Sequence, residues 1–122
     1  MIKLIILGSG AAPGVPSVSG GWGDCNPENP KNKRQRAGVY LTDGQTQILI
    51  DTSPDLKNQL IANHLTSLDA VLYTHTHADH LHGIDDLRGI TRNMQKSLNF
   101  YATTPQINDI KTRFSYVFSN IE

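Results

Sequence analysis

The 122-residue sequence is short of several things. It has one cysteine, Cys25. That rules out an internal disulfide or a cysteine-built metal cluster and makes a reducing, cytoplasmic setting the default. It has no net charge, because eleven Lys and Arg are balanced by eleven Asp and Glu. No global field therefore gathers nucleic acid or holds the chain on an anionic membrane, and neither is expected as a partner. No apolar run is long enough to span a bilayer. The opening MIKLIILGSG lacks the full charged, apolar and cleavage regions of a secretory signal. It reads instead as a strand entering a glycine-rich loop. Hydrophobic residues make up only 38% of the chain, still enough for one core, and the length suits one domain.

What is present falls into alternating elements. IKLIIL (2–7) reads as a buried strand. Residues 8–38 are rich in Gly, Pro, Asn and charge and read as one long loop, a feature that is usually functional or disordered inside a compact domain. AGVYLT (37–42) and QTQILI (45–50) flank Asp43-Gly44, a strong hairpin signal. Ser53 can cap a helix with Pro54 in its first turn, and Leu56, Leu60 and Ile61 give that helix an apolar face. DAVLYT (69–74) is a strand, GIDDLRGI (83–90) a short helix and SLNFYAT (97–103) another strand. Thr104-Pro105 opens a last helix with Ile107, Ile110, Phe114, Val117 and Phe118 at helical spacing. LGSGAAPG is not read as a dinucleotide fingerprint, since Pro13, Gly14 and Pro16 stop a helix from starting inside it. It reads as a tight turn into a loop, or as a loop at the rim of a site.

Four of the five histidines fall in LYTHTHADHLHG (72–83). On an extended chain His75 and His77 project to one side, and Asp79 and His80 follow together after a turn. Imidazole and carboxylate are ligands that zinc, manganese or iron accept, so this cluster predicts metal binding. His82 is read as solvent-facing, with a pocket-lining proton carrier as the alternative. His64 is read as structural or surface-exposed within the first helix. Lys31, Lys33, Arg34 and Arg36 form a basic run that suits a phosphate-bearing substrate or simply a solvated loop.

The run His75-Thr76-His77-Ala78-Asp79-His80, with Gly83 after it, resembles the HxHxDH signature of the metallo-β-lactamase superfamily. The order of strands, hairpin, helix and metal loop is similar to that family's along the whole chain. The resemblance implies an α+β fold, the metallo-β-lactamase αββα sandwich, of which this chain supplies the first sheet and its helices. It also implies two divalent ions, zinc or manganese, one held by His75 and His77 and one by Asp79 and His80. Asp79 would belong to the catalytic centre. Asp51 matches an aspartate that braces the metal loop; a strand-end turn residue is the equal alternative. GSGAAPGVP, GWGDCNPENPKNKRQR and HGIDDLR resemble PhnP-type phosphodiesterases, which act on cyclic ribose phosphates, and more distantly the ribonuclease Z group. PhnP-like enzymes carry several cysteines in this loop; here there is only Cys25, read as an ordinary, partly buried thiol.

The resemblance also implies ligands that this sequence lacks. After His82 there is no histidine. Residues 1–122 are therefore read as the N-terminal portion of one domain whose C-terminal half is missing, through a split or truncated gene. The implied substrate is a small phosphodiester. The implied partner is a separately encoded C-terminal half or a second copy of the chain. The chain alone is expected to bind metal weakly and to be inactive. The alternatives are a non-catalytic metal- or partner-binding remnant, or a hydrolase of the same superfamily with another substrate.

Overall fold

The apolar opening run becomes β1 (Lys3–Gly8) and pairs antiparallel with β2 (Gly38–Thr42). β2 pairs antiparallel with β3 (Gln47–Ile50) across the Asp43-Gly44 turn. That turn is held by Asp43, whose Oδ1 accepts from the backbone N–H groups of Gln45 and Thr46 at 2.9 and 2.8 Å. Gly44 there takes φ 98°, a conformation glycine adopts without strain. β4 (Ala70–Leu72) and β5 (Asn99–Tyr101) complete a five-stranded sheet in chain order. β3, β4 and β5 are mutually parallel, so their C-terminal ends lie along one edge. The computed structural model describes residues 1–118, and their fold is α+β, as expected.

Among the described residues four α-helices accompany the sheet: α1 (Leu56–Ala62), α2 (Ala78–Leu81), α3 (Leu87–Met94) and α4 (Thr104–Arg113). Strand register sorts the side chains into two faces. Ile5, Tyr40, Leu49, Val71 and Phe100 align across all five strands and meet the helices, through Leu56, Leu60, Leu81, Ile84 and Ile110. The opposite face carries a row of Leu4, Leu41, Ile48 and Ala70, and a second of Ile6, Val39, Ile50, Leu72 and Tyr101. No described element covers it: Leu4 is 57%, Ile6 65% and Tyr101 55% exposed.

The structure corrects several expectations. α1 begins at Leu56 rather than at Pro54, with Asp55 in the capping position. Ser53 is fully buried and its Oγ accepts from the Asp55 N–H at 3.1 Å. Ile61 is not part of an apolar face; it is 63% exposed. Gln59 is buried instead, where its Nε2 donates to the Arg36 carbonyl at 2.9 Å and its Oε1 accepts from Ser53 Oγ at 3.2 Å. The helix thus uses a buried amide to tie down the long loop. That loop is stitched by backbone bridges Gly10–Arg36, Val15–Arg34 and Ser17–Gly21, yet none of its residues 9–37 is buried. Cys25 is accordingly exposed, not partly buried. The expected helix at 83–90 is a 3-10 turn (Ile84–Asp86) followed by α3, which runs on to Met94. α4 stops at Arg113, and Val117 and Phe118 lie in a separate 3-10 turn (Ser115–Phe118). His64 lies just beyond α1 rather than within it, exposed and with φ 55°. None of the described helices is long and apolar enough to cross a membrane.

Candidate functional site

The C-terminal edge of the parallel strands is where the sheet hands the chain to loops, and loops at that edge are favoured ligand sites. β3 leads into Asp51, Thr52 and Ser53, all buried. β4 leads through Tyr73 into the histidine segment. The two ends are laced together by backbone bonds: Asp51 N–H to the Leu72 carbonyl (2.9 Å), Thr52 N–H to that of His80 (2.9 Å), and Gly83 N–H to that of Thr52 (3.0 Å). Gly83 has to be glycine, because a Cβ there would run into the Ser53 carbonyl.

Asp51 sits at φ 63°, a left-handed conformation that Asp tolerates better than most residues. This turns its carboxylate into the loop. Oδ1 accepts from the Thr74 N–H at 2.8 Å, and Oδ2 from the Thr74 hydroxyl at 2.6 Å. Oδ2 also lies 2.7 Å from His80 Nδ1. A carboxylate can only accept, so His80 Nδ1 carries the proton in this contact. The Thr74 hydroxyl spends its one proton on Asp51, so the 3.0 Å contact with His75 Nδ1 is a donation from the ring. Both imidazoles are thereby oriented through Nδ1, which leaves Nε2 for other work. His80 Nε2 lies 3.2 Å from Asp79 Oδ2. The His75 ring packs 4.7 Å from the His77 ring and 4.1 Å from the His80 ring, centroid to centroid.

The histidine segment thus comes together with Asp51. A short helix, α2, carries Asp79 and His80, with His77 at its cap. The sequence reading missed this helix and saw only a turn. His82 does face outward, but it is not free: its Nε2 lies 2.8 Å from an Arg113 nitrogen. His64 is not part of the group. Among the described residues no three His, Cys, Asp or Glu side chains come together as the ligand set of one ion. The basic run is dispersed. Arg36 is paired with Asp55 at 2.8 and 3.2 Å, Arg34 donates to Ser9 Oγ at 3.0 Å, and Lys31 and Lys33 are exposed.

Comparison with known proteins gives three kinds of match. A family model for the β-lactamase superfamily domain matches residues 46–122. An octanoyltransferase of Porphyromonas gingivalis is 42% identical over 118 residues, which is 96% of this chain but 24% of that protein. The crystal structure of a diphosphatase of the PhnP family superposes on the whole chain with a TM-score of 0.85 and 32% identity, and the chain covers 49% of it. Zinc-bound PqqB of Methylobacterium extorquens matches 92% of the chain at 24% identity with a TM-score of 0.71, a likeness of fold, and is itself covered to 40%. The chain therefore spans about a quarter of its curated relative and about half of the diphosphatase.

Proposed function

The chain belongs to the β-lactamase superfamily, with the metallo-β-lactamase fold, and on that premise we propose that it is the N-terminal part of a metal-dependent hydrolase domain that cleaves a small phosphodiester or a related diphosphate bond. The observation that carries this reading is the orientation of His75 and His80 through their Nδ1 atoms by the Asp51–Thr74 pair. Imidazoles fixed in this way keep Nε2 lone pairs for a cation, the arrangement found where a carboxylate backs a metal-ligating histidine. His75 and His77 would hold one divalent ion, zinc or manganese, and Asp79 and His80 a second. Ions bound there would polarise a phosphoryl oxygen and lower the pKa of water toward neutrality. The donor types fit that role, but they are fewer than the three protein ligands a catalytic zinc usually has.

The chain's own residues do the rest of the work in this reading. Asp51 holds the loop at Thr74 and His80. Asp79 keeps a carboxylate beside His80 Nε2. Lys31 and Lys33, exposed on the long loop, are available to an anionic substrate. The remaining ligands would come from a second half of the domain, joined to this chain or separate, or from a second copy. Its seat would be the bare apolar sheet face. Likeness to the PhnP-family diphosphatase supports phosphoryl chemistry, and Cys25, exposed and unpaired, suits a reducing cytoplasm. A second reading, an acyl ester or thioester substrate, is favoured by the identity with the octanoyltransferase, although that activity belongs to a protein about four times longer than the match.

The test has two stages. The chain, dialysed against zinc, should retain more metal by atomic emission than a variant with His75, His77, Asp79 and His80 all replaced by Ala. Equal retention overturns the metal assignment. With a C-terminal half from a complete relative added, bis(p-nitrophenyl) phosphate should be cleaved faster than p-nitrophenyl octanoate. The reverse order favours the acyl reading. Full turnover by the 122-residue monomer alone overturns the need for a second half.

A further inference from the structure

Thr76 stands between His75 and His77, so its backbone sets how the two rings are spaced. α4, which begins 28 residues later in sequence, reaches Thr76 with two of its side chains. Arg113 Nη1 donates to the Thr76 carbonyl at 2.8 Å. The Asp109 carboxyl is held below its usual pKa, first by the Thr76 side chain beside it and then by Arg113. Asp109 and Arg113 are themselves paired at 3.1 Å, one helical turn apart. Arg113 then reaches past Thr76 with its other nitrogen, 2.8 Å from His82 Nε2. A guanidinium can only donate, so Nε2 accepts. One turn earlier on the same helix face, Gln106 Nε2 donates to the Thr74 carbonyl at 3.0 Å, while its Oε1 closes the capping box at Thr103. Residues 74, 76 and 82 of the histidine segment are thus all held by one polar stripe, Gln106, Asp109 and Arg113.

These contacts have a common geometry. Spacings of three and four place the three side chains in line along α4. The apolar residues Ile110 and Phe114, one position beyond Asp109 and Arg113, pack into the core. These contacts hold the helix independently of its polar stripe, so the stripe can act as a template. Asp51 fixes the segment from the strand side at Thr74 and His80, but no bond from Asp51 reaches Thr76.

We propose that Asp109 and Arg113 are positioning residues which, acting together on Thr76, set the spacing of His75 and His77. The proposal rests on the metal reading above for its purpose, but not for its test. In the metal-free chain, the ring resonances of His75 and His77 should shift and broaden in Arg113→Ala, while that of His64 stays unchanged. Arg113→Lys should restore them only in part, because one ammonium cannot satisfy the Thr76 carbonyl and His82 in the fixed fork of a guanidinium. In zinc competition against a chromophoric chelator, Arg113→Ala should lower affinity about tenfold, as loss of an outer partner of a metal ligand does. Thr76→Val should lower it in the same direction, and Lys111→Ala, on the exposed side of α4, should not. Unchanged His75 and His77 resonances in Arg113→Ala, with helix content and unfolding midpoint as in the wild type, overturn the proposal. A wild-type chain that takes up no zinc, but whose rings respond to Arg113→Ala, overturns the metal reading and leaves the positioning intact.

Discussion

The two faces of the sheet are built from the same kinds of residue and meet opposite fates. On the helix side Leu49 and Val71 have no exposed surface. On the other side Leu4 and Ile6 are more than half exposed, though they are no less apolar. A strand with one face in water normally alternates apolar and polar residues, and a strand buried on both sides reads as a continuous apolar run. β1, with LIIL at its centre, and β3, with ILI, are of the second kind. The composition of the bare face is thus that of a surface meant for burial. The contiguous stripe of Leu4, Ile6, Val39, Leu41, Ile48 and Ile50 is unlike the singly scattered hydrophobics of an ordinary surface. The faces also meet the candidate site differently. The covered face supplies the buried frame behind Asp51, whereas the bare face ends beside it at Leu72 and Tyr101.

The contrast can be broken most easily at its strongest point. Leu49→Ala removes a side chain with no exposure from the middle of the covered row, and should cost about 2–5 kcal/mol in urea unfolding. If it costs no more than a truncation on the bare face, the two faces are equivalent and the comparison fails. Next in size is Asp51→Ala. It deletes the acceptor of three contacts and places Ala at a left-handed φ. A loss of about 2–3 kcal/mol is expected, because the Thr74 N–H and hydroxyl lose a charged acceptor. Asp51→Asn tolerates the backbone but cannot accept at every position, and should recover only part.

A smaller effect sharpens the electrostatics of the covered side. Burial, aided by the charge of Asp51, lifts the Tyr73 hydroxyl well above its ordinary range. That hydroxyl is hydrogen-bonded to Thr52 Oγ1 at 3.0 Å. The unfolded chain loses the tyrosine proton near pH ~10, before the folded chain does. Above that pH the unfolded state binds fewer protons, so the stability contributed by Tyr73 is complete below ~10 and is lost as pH rises toward the folded value. Tyr73→Phe should flatten this alkaline limb, at a cost of about 1 kcal/mol near neutrality for the lost hydrogen bond. An unchanged limb would mean that other groups dominate it.

Much of this was legible in the sequence, for reasons that differ from place to place. The five strands announce themselves because apolar runs and the Asp-Gly turn are local signals, and the histidine cluster because its residue types are rare in one segment. Asp51 could be picked out as a strand-end aspartate, but not its left-handed backbone or its three contacts. The burial of Gln59 in place of Ile61 was hidden because it depends on the Arg36 carbonyl, supplied by a distant loop. The Thr76 clamp was hidden for the same reason: Asp109 and Arg113 look like an ordinary surface pair until the fold brings the histidine segment to them. The exposure of Cys25 follows from a loop held by backbone bridges rather than by a core, which composition does not reveal.

The smallest expected effect is the one that decides what the bare face is for. Ile6→Ala in the 122-residue chain should change stability by no more than about 0.5 kcal/mol, as exposed substitutions do, because Ile6 is 65% exposed and loses little contact on truncation. Leu4→Ala should behave alike. In a complete domain the same two substitutions should become costly, approaching the loss at Leu49, since a second sheet laid on this face would bury them in a layer of interdigitated side chains. The measurement is the urea midpoint of Ile6→Ala in the chain alone and again after a C-terminal half has been added. A cost that rises on addition makes the face an interface within the domain. A cost that stays small in both settings means that Leu4, Ile6 and their row face solvent in the working protein.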